Sequence, residues 1–249
     1  MLTVDFRKLR LKPGDRVLDA GCGMGRHVCE AFRTEGVDVV GVDLNWEDLC
    51  KTATTLYLMH AQDGGDLRRC LISRADVTDL PFRDGAFNVV ICSEVLEHIP
   101  DNHKAVRELI RVLKPGGDLV VSVPRFLPER ICWALSEAYH HEPGGHIRIY
   151  RRRELRALLE GAGATCREVG YKHGLHAPYW WLKCLVGHKN EQSRPVRLYK
   201  RFLEWDIIKR PQLTRTLDRI LNPFIAKSIV FYLKKDIIRH EAGYTDSGR

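Results

Sequence analysis

The stretch Val17-Leu-Asp-Ala-Gly-Cys-Gly-Met-Gly25 decides the fold of this 249-residue chain. A short apolar strand, residues 16–19, leads into three glycines separated by single residues, and a helix is predicted over 27–34. Glycine suits this turn because a ligand can lie against bare backbone where a Cβ would otherwise stand. The N–H groups and positive dipole end of the following helix favour a carboxylate or phosphate there.

Two details distinguish the turn from a dinucleotide-binding turn. The glycines are spaced GxGxG rather than GxGxxG, and Asp19 stands two positions before the first of them. A pyrophosphate would be repelled by this carboxylate, whereas an ammonium or sulfonium group would be attracted. The turn therefore predicts a zwitterionic amino-acid ligand and disfavours a nicotinamide dehydrogenase.

Strands and helices alternate along most of the chain. Further strands are predicted over 37–43, 73–76, 87–92, 118–124 and 165–171, and further helices over 46–60, 102–113 and 150–160. A last strand is expected over 228–234, after two or three helices. The predicted fold is α/β, a doubly wound, Rossmann-like and mostly parallel seven-stranded sheet with a helical, basic insertion before its last strand.

The predicted boundaries follow from this pattern. Residues 1–174 form the core, 175–227 a helical lid or insertion, 228–240 the last core strand and 241–249 a flexible tail. No stretch approaches the roughly 20 apolar residues of a membrane span, and the start lacks an apolar signal segment, so a cytoplasmic protein is expected. The eight cysteines include no CxxC pair and are expected to be reduced.

Acidic side chains follow several of the predicted strands. Asp43 ends the second strand, where a carboxylate can accept both hydroxyls of a ribose. Asp76 ends the third strand and is placed to meet an adenine amino group. Ser93 and Glu94 leave the fourth strand at the expected switch in strand order, where ligands of such sheets bind.

Taken together, these segments resemble the class I S-adenosylmethionine-dependent methyltransferases, in the small-molecule branch. The resemblance covers roughly residues 10–170 and rests on the glycine turn, Gly41-Val-Asp43, and the segments 75–82, 90–99, 113–117 and 145–155. In that family the turn holds the methionine part, the second acidic residue the ribose and the third the adenine. The resemblance thus implies S-adenosylmethionine as cofactor, bound by Asp19, Gly21, Cys22, Gly23, Gly25, Asp43, Leu44, Asp76, Val77, Ser93 and Glu94.

Four histidines are candidates for the chemical step. Methyl transfer from a sulfonium chiefly needs alignment, but a hydroxyl acceptor also needs a base for its proton. His98 follows the fourth strand, and the loop after the fifth strand, which often borders the acceptor in the resembling family, contains His140, His141 and His146. A metal site made by that loop with Glu142 is conceivable from its ligand types, but no metal is expected.

The basic character belongs to the C-terminal third alone. Residues 170–249 contain 16 Lys and Arg against 7 Asp and Glu, whereas the preceding residues contain 24 against 25. This asymmetry indicates an anionic partner. The insertion at 175–227 could be a cap packed on the sheet, a lid over a hydrophobic acceptor, or an amphipathic surface resting on anionic lipid; contact with nucleic acid is the least favoured interpretation.

The predicted function is S-adenosylmethionine-dependent methyl transfer, at oxygen or carbon, to a small or lipid-linked acceptor, and the basic C-terminal third suggests an anionic one. The alternatives are an RNA or protein methyltransferase, or a non-catalytic partner that retains the ligand site. Ser93-Glu-Val-Leu96 is not the Asn/Asp-Pro-Pro pattern of amide- and adenine-modifying relatives, which disfavours the first alternative. The sequence leaves the acceptor, the base and the oligomeric state open.

Overall fold

The computed structural model describes residues 2–63, 66, 69–209 and 211–237. The predicted tail, 241–249, and the end of the predicted last core segment, 238–240, lie outside these residues. Among the helices of the described ranges, none combines the length and apolar character needed to cross a bilayer.

Seven strands form one sheet: β1 Arg16–Ala20, β2 Asp38–Asp43, β3 Cys70–Arg74, β4 Phe87–Ser93, β5 Leu113–Pro124, β6 Ala164–Lys172 and β7 Ser228–Lys235. Their order is β3-β2-β1-β4-β5-β7-β6. Every pairing from β3 to β5 is parallel, but β7 runs antiparallel to both neighbours. The predicted mostly parallel, seven-stranded sheet is confirmed, with β7 making it mixed.

The connecting helices are α1 Arg26–Phe32, α2 Trp46–Asp63, α3 Asn102–Val112, α4 Phe126–Leu135, α5 Glu137–His140, α6 Arg152–Gly161, α7 His176–Val186, α8 Arg194–Lys209 and α9 Gln212–Ile225. A 3-10 turn, Phe6–Lys8, precedes β1. The last three helices occupy the predicted insertion, and Trp181 of α7 donates its indole N–H to the Pro128 carbonyl of α4 at 3.0 Å.

Alternation along the strands gives the sheet two buried faces. In β1, Leu18 packs with α3 and α6 on one face, while Val17 packs with α1 and α2 on the other. A strand covered on both faces needs apolar residues throughout, and this accounts for the unbroken run in β4. The two helical layers cover the faces of the sheet, and the carboxyl ends of the parallel strands lie together at one edge.

Helices α4 and α5 lie in a segment, between 124 and 150, for which no secondary structure was predicted. Pro128 stands in the first turn of α4, where a proline sacrifices no intrahelical hydrogen bond.

The start of β5 also differs from the prediction: Leu113 already pairs with Phe87, and the register then shifts so that Asp118 pairs with Val89. The glycine-containing segment between these pairs is a bulge within the strand, not a loop before it.

Strand β7 is expected to be essential to stability. Phe231 is fully buried and lies opposite Val121 on one side and Val169 on the other. Phe231→Ala should lower the free energy of unfolding by about 3–5 kcal/mol, because a cavity would replace the ring. Urea denaturation measures this change. Ile237→Ala is the control, because Ile237 is 68% exposed and its loss should cost less than about 0.5 kcal/mol; equal effects would contradict the packing described.

Candidate active site

A cavity of about 790 Å³ opens at the carboxyl edge of the sheet, over the ends of β1 to β4. The break in strand order falls between β1 and β4, so the cavity lies where open α/β sheets bind ligands. Ten of the predicted site residues line it: Gly21, Cys22, Gly23, Asp43, Leu44, Asp76, Val77, Ser93, Glu94 and His98.

The three glycines of the turn have positive φ but different surroundings. A Cβ on Gly21 would lie 2.4 Å from Val95 Cγ2, and one on Gly25 would lie 2.4 Å from Thr52 Cγ2. A Cβ on Gly23, where φ is +49°, would meet no atom within 4 Å. The missing Cβ atoms of Gly21 and Gly25 therefore leave space for the side chains of Val95 and Thr52. Gly23 instead leaves bare backbone facing the cavity.

The predicted ribose-binding residue, Asp43, also holds the turn in place. Its Oδ2 accepts a hydrogen bond from the Gly23 amide at 2.8 Å, and its Oδ1 accepts one from the Asn45 amide at 2.8 Å. Asp76 is exposed, and the Thr78 amide donates to its Oδ1 at 2.7 Å. Both carboxylates are thus oriented by backbone amides while still lining the cavity.

Asp19 lies beneath the turn instead of on the cavity wall. It is buried, and neither carboxyl oxygen has a hydrogen-bond partner among the described residues. Burial raises the pKa of Asp19 to about 7, although the charge of Arg26 and the nearby Val28 amide, which falls outside hydrogen-bond geometry, oppose the shift. His27 Nδ1, 3.9 Å away, adds no compensating charge, because burial lowers the pKa of His27 to about 3. The structure therefore holds an unpaired acidic group next to the cavity.

Glu94 is held by serines at the end of β4. Its φ of +59° is unusual for a residue other than glycine, and its amide donates to the Ser122 carbonyl at 2.9 Å. Ser122 Oγ donates to Glu94 Oε1 at 3.0 Å and lies 2.8 Å from Ser93 Oγ. This chain of contacts fixes a carboxylate at the cavity wall.

Two of the predicted catalytic histidines come together at the mouth of the cavity. His98 lines it, while the ring of His146 lies 5.0 Å from the His98 ring, centroid to centroid. His98 Nδ1 is 3.0 Å from the Gly145 carbonyl oxygen, so this nitrogen must be the protonated donor. Burial and the neighbouring His146 lower the pKa of His98, which favours its neutral form.

A buried carboxylate that the sequence analysis missed supports His146. Glu129 Oε1 lies 2.6 Å from His146 Nδ1 and accepts from the Tyr139 hydroxyl at 3.0 Å. Burial raises the pKa of Glu129, but His146 and Lys227 together more than offset this, so the pKa lies below its usual value. The signal available in the sequence was that Glu129 is the single acidic residue among the mostly apolar residues 126–135. It indicates a buried carboxylate only once these residues are recognised as helix α4.

The other two histidines do not reach the cavity. His140 stacks on Trp133 at 3.9 Å, and His141 Nδ1 lies 3.1 Å from the Glu137 carbonyl within the same turn of helix. Glu142 pairs with His188 and Lys189, so the conceivable metal set of this loop is not brought together. A different group of possible metal ligands does come together: ligand atoms of Glu97, His98 and His146 all lie within 4.8 Å of one another.

A family model described as a methyltransferase domain matches residues 3–169, more than half of the chain. The chain is 34% identical over 113 residues to 27-O-demethylrifamycin SV methyltransferase of Amycolatopsis mediterranei, covering 45% of this chain and 40% of that protein. It is also 34% identical over 138 residues to ubiquinone biosynthesis O-methyltransferase of Hahella chejuensis, covering 54% of each. The chain thus spans about half the length of these curated relatives.

A solved structure of a SAM-dependent methyltransferase from Methanosarcina mazei superposes with a TM-score of 0.61. The match covers 95% of this chain and 100% of that chain, at 17% sequence identity. At that identity the likeness shows the shared fold alone.

The unpaired carboxyl of Asp19 should make the cofactor-free protein less stable as pH rises. The pKa of Asp19 is raised from its ordinary value of 3.8 to about 7 in the folded state. The protonated carboxyl therefore contributes its full stabilisation below pH 3.8, and this contribution is lost as the pH rises to about 7. Between about pH 5 and about pH 8 the native protein should lose about 2–3 kcal/mol that Asp19→Asn does not lose. Urea denaturation at both pH values measures this. Equal losses in the two proteins would show that Asp19 is ionised in the folded state at both pH values.

Proposed function

The chain belongs to the methyltransferase-domain family, and the expected membership among class I S-adenosylmethionine-dependent enzymes is confirmed; from this premise we propose that it methylates a small-molecule acceptor. The observation that carries the proposal is the cavity at the switch point, where the bare Gly23 backbone faces the predicted cofactor-binding side chains. An oxygen acceptor is favoured, because one of the two relatives is named an O-methyltransferase.

The residues present fit the cofactor. The buried Asp19 carboxyl lies next to the cavity, and the ammonium group of the methionine part would favour its ionised form and attract it through water. Asp43 offers acceptor oxygens to ribose hydroxyls, and Asp76 to an adenine amino group. Leu44 lines the cavity although it is 56% exposed, and Val77 lies beside Asp76; these apolar groups suit the face of a purine.

The bound cofactor would supply a methyl group on a sulfonium, open to in-line displacement. A hydroxyl acceptor would give up its proton as it accepts the methyl group, and a side chain of this protein would receive that proton. This chain's part is to align the acceptor, to exclude water and to receive that proton. The cavity wall formed by Glu94 and His98 is where an acceptor would meet the methyl group.

His98 is the base that the geometry favours. Because its Nδ1–H donates to the Gly145 carbonyl, a neutral ring keeps the lone pair of Nε2 available. The lowered pKa keeps the ring neutral near pH 7. Glu129 holds His146, and this contact fixes the loop that contributes Gly145. The His146 ring also lies beside the His98 ring, which would gain the proton.

A second role for the same histidines is favoured by one observation. Glu97, His98 and His146 could share one divalent cation, since their ligand atoms lie within 4.8 Å of one another. Both carboxyl oxygens of Glu97 are buried without a hydrogen-bond partner among the described residues. Burial raises the pKa of Glu97 well above its usual range, and a cation would have to overcome this protonation. The expectation that no metal is needed therefore stays a prediction.

Cofactor binding should depend on the open face of Gly23. Gly23→Ala should weaken S-adenosylmethionine binding by about tenfold or more, because its Cβ enters the ligand's space. Gly144→Ala is the matched control: Gly144 also has positive φ and open surroundings, but it does not line the cavity. Calorimetric titration measures the affinity of both variants and of the native protein, with NAD as a ligand that is expected not to bind. Failure of the native protein to bind S-adenosylmethionine would refute the function, and equal affinities of the two variants would refute the site.

His98→Gln should remove the base while leaving the acceptor site in shape. With radiolabelled S-adenosylmethionine and a panel of hydroxylated aromatic and lipid-linked compounds, kcat should fall by about 10²–10⁴ with little change in KM. The rise of native kcat/KM with pH should have its midpoint below 6.5 and vanish in the variant. His103→Gln, an exposed histidine on α3, is the control.

Chelation distinguishes the two roles of the histidine pair. If His98 acts as the base alone, dialysis against EDTA should leave turnover unchanged. If activity is lost and returns with Mg²⁺, Mn²⁺ or Zn²⁺, the histidine and Glu97 are metal ligands, and the assignment of a free base is wrong.

A further inference from the structure

Helix α9 is oriented with its polar side towards the protein. Asp218 Oδ1 accepts from the Leu175 amide at 3.0 Å, and Asn222 Oδ1 accepts from the Gly174 amide at 2.8 Å. Thr214 on the same side is buried. Surface helices normally bury their apolar side, so α9 is inverted relative to the usual arrangement.

The apolar side of α9 faces solvent. Leu213, Leu217, Ile220 and Phe224 are exposed to 79, 41, 58 and 68% of their surface, respectively. Their spacing of four, three and four residues places them in one stripe along the helix. Unlike isolated exposed apolar residues, a continuous stripe of large ones indicates a binding surface.

Helix α8 adds a second exposed stripe that is both apolar and basic. Leu198, Trp205 and Ile208 are exposed to 71, 47 and 74%. Arg194 and Arg201 fall on the same side at helical spacing, so cationic and apolar groups alternate along it. Val196 and Leu203 on the opposite side are buried and attach α8 to the protein.

Charge favours one occupant for these stripes. Residues 194–225 contain eight Lys and Arg against three Asp and Glu. A protein partner could take the apolar stripes alone, but interleaved Arg and Trp on a surface helix are typical of contact with anionic lipid, where the rings sit among head groups and the cations meet phosphate.

We propose that the exposed stripes of α8 and α9 dock this protein onto the surface of an anionic lipid bilayer. α9 leads into Ser228, which pairs with Pro124 at the carboxyl end of β5, so α9 ends at the edge of the sheet at which the cavity opens. An acceptor dissolved in or attached to the membrane would then approach the cavity from that edge. The docking itself does not depend on the proposed methyl transfer.

Co-sedimentation with vesicles tests the surface directly, without cofactor or acceptor. The native protein should bind phosphatidylcholine vesicles containing about 40% phosphatidylglycerol at least about tenfold more strongly than pure phosphatidylcholine vesicles, with loss at high salt. The double variant Ile220→Ser, Phe224→Ser should lose about tenfold or more of this binding. Arg194→Gln with Arg201→Gln should reduce the preference for the anionic vesicles.

A matched control removes equal apolar surface elsewhere. Leu58→Ser with Ile237→Ser changes residues exposed to 52 and 68% on α2 and after β7, and it should bind vesicles like the native protein. Melting temperatures establish that each variant is folded. Native protein that stays in the supernatant, or stripe variants that bind as well as the control, would overturn the proposal. A dimer in light scattering that the stripe variants dissociate, without vesicle binding, would assign the surface to a second copy of the chain and equally overturn it.

Discussion

The hydrogen bond from the Gly23 amide to Asp43 is the contact on which the candidate active site depends. It joins the turn after β1 to the end of β2, two parallel neighbours, and so fixes a flexible backbone segment to a rigid strand. Thr52 of α2 donates its hydroxyl to the Gly23 carbonyl at 2.9 Å, so the two peptide units that flank the Gly23 Cα are both held, one by β2 and one by the helical layer. With the space beside Gly21 and Gly25 filled by Val95 and Thr52, the bare backbone at Gly23 is directed at the cavity.

The sequence predicted this part of the molecule well, because local rules determine it. Each strand end that contributes to the cavity is marked by a small or acidic residue after an apolar run, and parallel strands bring such ends to one edge. Ten predicted residues accordingly line one cavity. The burial of Asp19 was not predicted, because a motif gives the order of residues and not which side of the backbone faces the ligand.

The features that the sequence did not reveal arise from contacts between distant segments. Glu129 meets His146 only because α4 packs beside the loop after α5, and α4 itself was not predicted. His98 and Gly145 are 47 positions apart, and their hydrogen bond selects His98 among the four candidate histidines. Only the hydrogen bonds of Asp218 and Asn222 show that the apolar side of α9 faces outward, because spacing in a sequence does not indicate which side of a helix contacts the protein.

The position of β7 affects how the chain can fold. β7 lies between β5 and β6, although both precede it in the sequence, and it pairs antiparallel with each. During synthesis β5 and β6 therefore emerge as two unpaired strand edges, separated by the space that β7 will later fill. Three helices, 176–225, must be made before the missing strand appears. Unpaired edges are the usual starting points of intermolecular strand pairing. The nascent protein is thus exposed to aggregation until residues 228–235 insert between the two waiting strands.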